Sequence, residues 1–360
     1  MKAILAAGGT AGHINPALAI AREIAAHGGE VLFIGNEGKM EQELVPKEGF
    51  DIKCIKVSGL KRSLSPKNIV ALWQAAGGVL KTRKIIKEFN PDIVIGCGGY
   101  VSGPAVLSAA KLKIPTLIHE QNAFAGMTTK ILCRYADTVC ISFEESRKYL
   151  ANAKNIVLTG NPVRENILEL GCEEARKRLG ITNKLVLVFG GSLGAKKIND
   201  TMQQFIFETD ESYNIVWGTG NRAYDEIMAN LKNKKIPQNI KIMPYIYNMD
   251  EIMSAADIVV SRAGAITLGE ICAKGKCAVL IPSPYVANNH QEYNARAMEK
   301  NGAAELICEA DLTAKTLKDK IDSILKNPDK IKTMQQNALK MGMPDASKII
   351  YKEIEKLVKR

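Results

Sequence analysis

The chain has 360 residues, enough for two domains of ordinary size, and its 46% hydrophobic and 24% charged content is that of a globular protein. The formal net charge of +11 favours anionic partners such as nucleic acid, an anionic membrane surface or phosphorylated substrates. Eight scattered cysteines without a C-x-x-C pair argue against a zinc cluster and predict reduced thiols. We expect no signal peptide, because the apolar run after Lys2 is short and meets the glycine turn at once. We expect no membrane span, because the long uncharged stretch 93–110 contains Pro104 and four glycines.

Strands and helices alternate along the first half of the chain. The predicted strands are KAILAA at 2–7, EVLFIG at 30–35, DIVIGCGG at 92–99, IPTLIHEQN at 114–122 and TVCIS at 138–142. Asn15 and Pro16 are predicted as the N-cap and first position of the first helix, which continues through ALAIAREIAAHGG. This alternation is typical of a parallel sheet with helices on both faces.

The same alternation restarts after GNPVR at 160–164. The predicted strands are KLVLVFGG at 184–191, NIVWGTG at 214–220, NIKIMPYI at 239–246, DIVVSRAG at 257–264 and CAVLIPSP at 277–284. We therefore predict an α/β protein of two doubly wound, Rossmann-like parallel-sheet domains with a boundary near 160–165. Ligands of such sheets bind at the carboxyl ends of strands, so we expect the site in a cleft that the two domains face.

Three loops of the first half carry candidate chemistry. The first, GGTAGH at 8–13, lacks the G-x-G-x-x-G spacing and acidic partner of dinucleotide folds, although its N–H groups can bind an anion. His13 at its tip suits proton transfer near neutral pH, a structural histidine being the alternative. GCGGYVSGP at 96–104 lets backbone approach a ligand or forms a tight turn. The polar side chains of HEQNAFAG, 119–126, must hold each other or a ligand.

The loops of the second half suit a nucleotide diphosphate. Amides of GGSLGA at 190–195 and the Ser192 hydroxyl can bind a phosphate oxygen. Glu270, in SRAGAITLGE, can accept both hydroxyls of a ribose, a solvated helix charge being the alternative. Arg164 can meet a diphosphate, and the polar loop 284–295 can contact sugar hydroxyls. No D-x-D pair that would chelate a metal is found, so we expect no obligatory metal or cofactor.

Seven motifs occur in order along nearly the whole chain: GGTAGHINPALAIA, GCGGYVSGPAVLSA, HEQNAFAGMTTKIL, GNPVR, GGSLGA, SRAGAITLGE and ANNHQEYNA. The sequence thereby resembles the MurG family, bacterial N-acetylglucosaminyltransferases of peptidoglycan synthesis with the glycosyltransferase B fold. The resemblance implies transfer of GlcNAc from UDP-GlcNAc to the undecaprenyl-linked lipid I, giving lipid II. It implies an acceptor and membrane-side domain at 1–163, with helix 345–360 packing back on it, and a UDP-GlcNAc-binding domain at 164–344.

In the first domain, the resemblance implies that Thr10, Ala11 and Gly12 line the donor sugar and acceptor diphosphate, and that Asn122 contacts the GlcNAc. The expected reaction is a single inverting displacement by the muramoyl 4-hydroxyl, with His13 as base or as the group that positions the acceptor. The family's first loop is most often GGTGGH, and here position 11 is Ala. If that position needs φ > 0, the alanine costs about 1 kcal/mol.

In the second domain, the resemblance implies that Arg164 and Ser192 hold the donor diphosphate. Ile246 meets the uracil through its backbone, and Gln291 binds GlcNAc hydroxyls and so helps to choose the sugar. A segment that cradles phosphate and ribose, with Glu270 on the ribose hydroxyls, consists of Ala265, Ile266, Thr267, Leu268, Gly269 and Glu270.

A lipid-linked acceptor implies a patch that faces the membrane. The stretch 61–87 contains seven basic residues and no acidic one: Lys61, Arg62, Lys67, Lys81, Arg83, Lys84 and Lys87. Between them lies NIVALWQAAGGVL, with Ile69, Leu72 and Trp73 at helical spacing. Cations around an apolar, Trp-bearing stretch predict peripheral binding to the anionic inner leaflet, at the cytoplasmic face of the bacterial membrane. A core-facing helix with a solvated basic rim is the alternative.

Three other classes of protein remain to be weighed. Another UDP-sugar transferase of the same fold would act on a different lipid or a small acceptor. A Rossmann oxidoreductase would need the dinucleotide fingerprint, which the first loop lacks. A nucleic-acid-binding protein would interleave basic and stacking aromatic residues, whereas aromatic residues make up only 6% of this chain, so we expect no nucleic-acid partner.

Overall fold

The computed structural model describes residues 1–59, 67–191, 193–209 and 212–359, without the side chains of 67–72 and Glu165. Predictions on Lys61, Arg62 and Ser192, and on the side chains of Lys67, Ile69 and Leu72, therefore lie outside the described part. The chain divides into two compact units. The first comprises Met1–Val163 with Asp345–Arg360, and the second comprises Arg164–Pro344.

The first unit contains a seven-stranded sheet. Its strands are β1 (Lys2–Ala6), β2 (Glu30–Asn36), β3 (Asp51–Ile55), β4 (Ile93–Gly96), β5 (Thr116–Glu120), β6 (Thr138–Ile141) and β7 (Ile156–Leu158). All pairs are parallel, in the order β3-β2-β1-β4-β5-β6-β7. The strand order reverses between β1 and β4, which is the point where open parallel sheets leave a crevice for ligands.

Helices cover both faces of this sheet. They are α1 (Ala11–Ala26), α2 (Glu41–Lys47), α3 (Lys67–Phe89), α4 (Ser102–Lys111) and α5 (Met127–Leu132), with a 3₁₀ helix at Glu144–Tyr149. Side chains of β1 alternate between the two cores: Ala3 and Leu5 join one, and Ile4 and Ala6 the other. Burial on both faces explains why the strand sequences are continuous apolar runs.

The first helix begins five residues earlier than the sequence pattern predicts. Thr10 is the N-cap, with an extended backbone at φ −146° and ψ 151°, and Pro16 lies inside the helix. The prediction that Asn15 and Pro16 start the helix is therefore wrong. Pro16 is the sixth residue of this helix, so the helix loses the hydrogen bond that an amide at this position would donate to the carbonyl of Gly12. Because the helix begins at Ala11, His13 lies on its first turn rather than on the preceding loop.

The second unit contains a six-stranded parallel sheet in the order β10-β9-β8-β11-β12-β13. Its strands are β8 (Lys184–Phe189), β9 (Tyr213–Gly218), β10 (Ile240–Met243), β11 (Ile258–Ser261), β12 (Cys277–Leu280) and β13 (Ala304–Leu306). Its helices are α6 (Glu165–Glu169), α7 (Cys172–Leu179), α8 (Lys196–Phe205), α9 (Tyr224–Leu231), α10 (Met249–Ala255), α11 (Ala265–Ala273), α12 (His290–Lys300), α13 (Ala314–Leu325) and α14 (Pro328–Met341). The predicted class, two Rossmann-like parallel-sheet domains, is confirmed.

The last helix, α15 (Ala346–Val358), belongs to the first unit. Its apolar side chains Ile350, Ile354 and Leu357 enter the core that β1 and α1 share. The ring of Tyr351 stacks on His27 with centroids 4.1 Å apart. Among the described residues no helix combines the length and the apolarity that crossing a membrane requires.

Candidate functional site

The first glycine loop follows β1 at the point where the strand order reverses. Thr10, Ala11 and Gly12 are exposed, and His13 is half-buried. The Nδ1 atom of His13 lies 3.1 Å from the carbonyl oxygen of Gly8 and 3.3 Å from Thr10 Oγ1. A carbonyl oxygen can only accept a hydrogen bond, so Nδ1 carries the proton. The Nε2 atom of a neutral His13 is therefore left as a proton acceptor.

Ala11 is the first residue of α1 and has a helical backbone. Among the described residues, those with positive φ other than glycine are Asn90, Lys113, Asn288 and Asn289. The condition under which Ala11 would be strained is thus not met. A methyl group at this position fits the first turn of a helix, where alanine is favourable.

A buried carboxylate that the sequence analysis did not select lies behind this loop. Glu41, the first residue of α2, is fully buried. Its Oε2 accepts a hydrogen bond from the Gly9 amide at 3.2 Å, and its Oε1 accepts one from the Asn36 amide at 2.9 Å. One backbone donor of the loop is therefore used within the protein. The only sequence signal for Glu41 is an acidic residue on the first turn of the helix after β2.

The second glycine loop packs against the first. A Cβ atom at Gly98, where φ is +107°, would lie 2.5 Å from Cδ2 of His13. A Cβ atom at Gly99, where φ is +79°, would lie 2.4 Å from the Gly8 carbonyl oxygen. These two glycines are therefore required by contacts inside the protein, which bring the loop after β4 against the His13 ring.

The polar residues after β5 hold one another. Gln121 Nε2 donates to His119 Nδ1 at 3.0 Å and to the Cys97 carbonyl at 2.9 Å, and His119 Nε2–H donates to the Gly160 carbonyl at 3.0 Å. Burial lowers the pKa of His119, against smaller opposing effects of the Gly160 hydrogen bond and the Glu120 charge. Glu120 accepts from the amides of Asn122 at 3.1 Å and Gly126 at 2.9 Å. This network shapes the loop that presents the half-buried Asn122.

In the second unit, Arg164 and Glu270 form a bidentate ion pair. Arg164 is the N-cap of α6, and Glu270 lies in α11. The Nε–Oε1 distance is 2.7 Å and the Nη2–Oε2 distance is 3.2 Å. Burial raises the pKa of Glu270, and the hydrogen bond and charge of Arg164 oppose that rise. Both oxygens that the resemblance assigns to ribose are thus held by the guanidinium that it assigns to the diphosphate.

The N-terminal turn of α11 carries the other predicted phosphate and ribose contacts. Gly264 is the N-cap, without a side-chain capping hydrogen bond. Ala265, Ile266, Thr267 and Gly269 are half-buried, whereas the Leu268 side chain is buried in the core. The positive end of the helix dipole at this turn stabilises an anion. Leu268 can therefore contribute to ligand binding only through its backbone.

The uracil residue predicted in this unit, Ile246, lies on the loop after β10, and the sugar residue, Gln291, lies on the first turn of α12. Ile246 is 4% exposed, and its side chain packs where a Cβ atom at Gly218 would point. Gln291 Oε1 accepts a hydrogen bond from the Ser283 amide at 2.9 Å. This bond fixes the orientation of the amide, so the Nε2 group of Gln291 is the part left to donate to a ligand.

The structure thus brings part of the predicted residues into contact within each unit, whereas Asn122, Ile246 and Gln291 contact other neighbours. His13 meets the loops after β1 and β4 in the first unit, and Arg164 meets Glu270 in the second. Within the ranges that the structure describes, no group of three or more His, Cys, Asp and Glu side chains is arranged to hold a metal ion.

Comparison with known proteins covers both units. Residues 3–141 match the Glycosyltransferase family 28 N-terminal domain, and residues 185–350 match the Glycosyltransferase family 28 C-terminal domain. The chain is 48% identical over 363 residues to the UDP-N-acetylglucosamine--N-acetylmuramyl-(pentapeptide) pyrophosphoryl-undecaprenol N-acetylglucosamine transferase of Thermoanaerobacter sp. (strain X514), covering 99% of this chain and 100% of that protein.

Two further relatives agree with this match. The transferase of the same name from Acetivibrio thermocellus is 48% identical over 365 residues, covering 100% of this chain and 99% of that protein. The crystal structure of Acinetobacter baumannii MurG superposes with a TM-score of 0.83 at 29% identity and covers 99% of each chain.

The fold, the site and these matches define a glycosyltransferase built from two Rossmann-like domains. More closely, the chain belongs to glycosyltransferase family 28 and, within it, to the MurG group of N-acetylglucosaminyltransferases. This confirms the resemblance that the seven sequence motifs predicted.

Proposed function

We propose that the enzyme transfers GlcNAc from UDP-GlcNAc to the muramoyl 4-hydroxyl of undecaprenyl-diphospho-MurNAc-pentapeptide, lipid I, forming lipid II. Two relatives that are 48% identical over their full length are named as N-acetylglucosamine transferases acting on this undecaprenol-linked acceptor. The structural observation on which the proposal rests is the hydrogen bonding of the His13 ring. Its Nδ1–H is bound to the Gly8 carbonyl, and its Nε2 can therefore accept a proton at the carboxyl edge of the first sheet.

The chemistry is a single displacement at the anomeric carbon. The acceptor 4-hydroxyl gives its proton to Nε2 of His13 while its oxygen forms the new C–O bond. The bond between the anomeric carbon and the donor phosphate breaks, and its electron pair leaves with UDP. Attack on the face opposite the leaving group converts an α donor linkage into a β-1,4 product.

Negative charge on the leaving diphosphate needs stabilisation. The N-terminal turn of α11, beginning at Ala265, supplies the positive end of a helix dipole, and the half-exposed Arg164 supplies a guanidinium. Ser192, predicted as a third contact, lies outside the described residues. Glu270 then binds the ribose, Ile246 the uracil, and Gln291 the sugar.

We further propose that α3 binds the cytoplasmic face of the membrane. Trp73 is 76% exposed and Leu80 is 69% exposed, seven residues apart and so on one face of the helix. Their exposure favours a membrane contact over the core-facing alternative. Leu80 borders a surface pocket lined also by three basic residues, Arg83, Lys84 and Lys87, and by one acidic residue, Glu88. Cations around exposed apolar side chains favour binding to anionic lipid headgroups.

The decisive experiment is a transfer assay. The purified protein is incubated with radiolabelled UDP-GlcNAc and a short-chain lipid I analogue, and label is followed into the lipid fraction. We expect transfer from UDP-GlcNAc and little or none from UDP-glucose or UDP-GalNAc. Tight UDP-GlcNAc binding without transfer would contradict the acceptor assignment, and absence of both would contradict the proposed function.

A further inference from the structure

The buried Glu41 and the half-buried His13 contact the same peptide group from opposite ends. The Gly9 amide donates to Glu41 Oε2 at 3.2 Å, and the carbonyl of Gly8 accepts from His13 Nδ1 at 3.1 Å. The C=O of Gly8 and the N–H of Gly9 are the two polar groups of one planar peptide bond. The structure therefore contains a continuous chain of hydrogen bonds from carboxylate to peptide to imidazole.

Such a chain has two physical effects on the imidazole. A hydrogen bond from an amide to an anionic acceptor polarises the peptide group, which strengthens its carbonyl as an acceptor for Nδ1–H. The carboxylate also fixes the plane of a peptide bond between two glycines, whose backbone is otherwise free to rotate. Gly9 has φ at +85°, a backbone conformation that glycine adopts readily because it has no side chain to restrict it.

The carboxylate itself is rigidly held. Its second oxygen accepts from the Asn36 amide at 2.9 Å. The side-chain amide of Asn36 in turn makes two hydrogen bonds with the backbone of Val57. Its Nδ2 donates to the Val57 carbonyl at 2.8 Å, and its Oδ1 accepts from the Val57 amide at 3.0 Å. Glu41 thus connects the loop after β1 to the end of β2 and, through Asn36, to the segment that follows β3.

We infer that Glu41 is a positioning residue that fixes the tautomer and the orientation of His13 through the Gly8–Gly9 peptide group. This inference rests on the proposed function in one respect, namely that Nε2 of His13 accepts the acceptor's proton. With Nδ1 held protonated against Gly8, the lone pair of neutral His13 is on Nε2. A second restraint comes from the backbone of Gly98, which packs on the ring.

The first test reads the tautomer directly, without any assay of turnover. Long-range ¹H–¹⁵N spectra of ¹⁵N-labelled protein distinguish the two neutral tautomers of each of the four histidines. We expect Nδ1–H for His13 in the wild type at neutral pH. His119 is an internal reference for the opposite tautomer, because its Nε2–H donates to Gly160. A wild-type His13 with the proton on Nε2 would overturn the inference.

The second test removes the charge of Glu41 and keeps its shape. Glu41→Gln places an NH₂ group against an amide donor, so we expect the tautomers of His13 to mix. We expect kcat to fall about tenfold, the lower end of the effect of groups that orient a functional histidine. The KM for UDP-GlcNAc should stay within about twofold, because no donor contact is removed. Glu43→Gln, an exposed glutamate on the same helix, is the matched control and should change neither quantity.

A second variant covers the case that Glu41→Gln does not fold. A Cβ atom at Gly8 would lie 2.3 Å from Glu41 Oε1, so Gly8→Ala displaces the carboxylate without removing it. We expect the same mixing of tautomers. An unchanged His13 spectrum in a folded Glu41→Gln or Gly8→Ala protein would overturn the inference. An altered spectrum with unchanged kcat would support the positioning by Glu41 and contradict the role of the Nε2 lone pair in the proposed function. Full turnover by His13→Ala would instead refute the catalytic role of His13 in the proposed function.

Discussion

The guanidinium of Arg164 covers both carboxylate oxygens of Glu270, at 2.7 and 3.2 Å, although 106 positions separate the two residues. The pair is asymmetric, because the side chain of Arg164 is 50% exposed and that of Glu270 is 5% exposed. UDP-GlcNAc binding as proposed needs both groups for the ligand. Donor binding must therefore open or share this ion pair, with the ribose hydroxyls replacing the guanidinium on Glu270.

The asymmetry of this pair predicts unequal effects on stability. Arg164→Ala leaves a buried carboxylate without its partner, and we expect a loss of about 1–3 kcal/mol in the free energy of unfolding. Glu270→Gln leaves a guanidinium that water can solvate, so its cost should be under about 1 kcal/mol. Urea denaturation of both variants without ligand measures the difference. Equal losses would mean that Glu270 is better solvated than its burial indicates.

Removal of the imidazole of His13 should affect turnover rather than donor binding. For His13→Ala we expect kcat to fall by about 10²–10⁴, the range of general acid–base catalysis, with the KM for UDP-GlcNAc little changed. Steady-state kinetics with a lipid I analogue give both values. His27→Ala, on the same helix but stacked on Tyr351, is the control and should keep its kcat. Wild-type kcat in His13→Ala would exclude the base and positioning roles alike.

His119 predicts how stability depends on pH. Burial lowers the pKa of this imidazole in the folded protein, whereas an unfolded chain takes up the proton near pH 6.5. Below that pH the unfolded state binds more protons than the native state, so the free energy of unfolding falls as the pH falls. Urea denaturation at pH 7.5, 6.0 and 5.0 should show this loss.

The control for this pH dependence is a variant in which residue 119 has no titratable side chain. His119→Asn should be less stable at pH 7.5 because its neighbours lose hydrogen-bond partners. It should also lack part of the wild-type decline between pH 6.5 and 5.0. Parallel pH profiles for the two proteins would contradict the assignment of this decline to His119.

Membrane binding through α3 should depend on charge. Changing Arg83, Lys84 and Lys87 together to Glu should weaken binding to vesicles with anionic lipid by more than tenfold, since each basic residue near such a surface contributes about 1 kcal/mol. Sedimentation with the vesicles, at low and high salt, measures the effect. The charge-matched control is Lys315, Lys332 and Lys340 to Glu, three exposed lysines of the second unit. Equal weakening by both triple variants would show a nonspecific effect of net charge.

The strands in the middle of each sheet could be predicted from sequence because they are buried on both faces and apolar throughout. The edge strands β3, β7 and β13 could not, because they are short or only partly buried, as at Asp51–Ile55. The predicted start of α1 was wrong because an Asn-Pro pair is a common helix start, whereas in this protein the pair lies within the helix.

The sequence could predict which residues belong to the candidate site, but not which of them contact each other. Motif spacing selected His13, Arg164 and Glu270, but no local pattern indicates that the last two bind each other across 106 positions. Glu41 was missed because its role depends on the approach of α2 to the loop after β1. The position of a carboxylate behind a glycine loop is set by the packing of the sheet and becomes visible only in three dimensions.

The return of α15 to the first unit has a consequence for synthesis on the ribosome. The core around β1 and α1 includes Ile350, Ile354 and Leu357, which are translated only after the whole of 164–344. The second unit is contiguous and can complete its fold first, whereas the nascent first unit must wait with an apolar groove uncovered. The apolar side chains of that groove therefore stay uncovered until the last helix has been made.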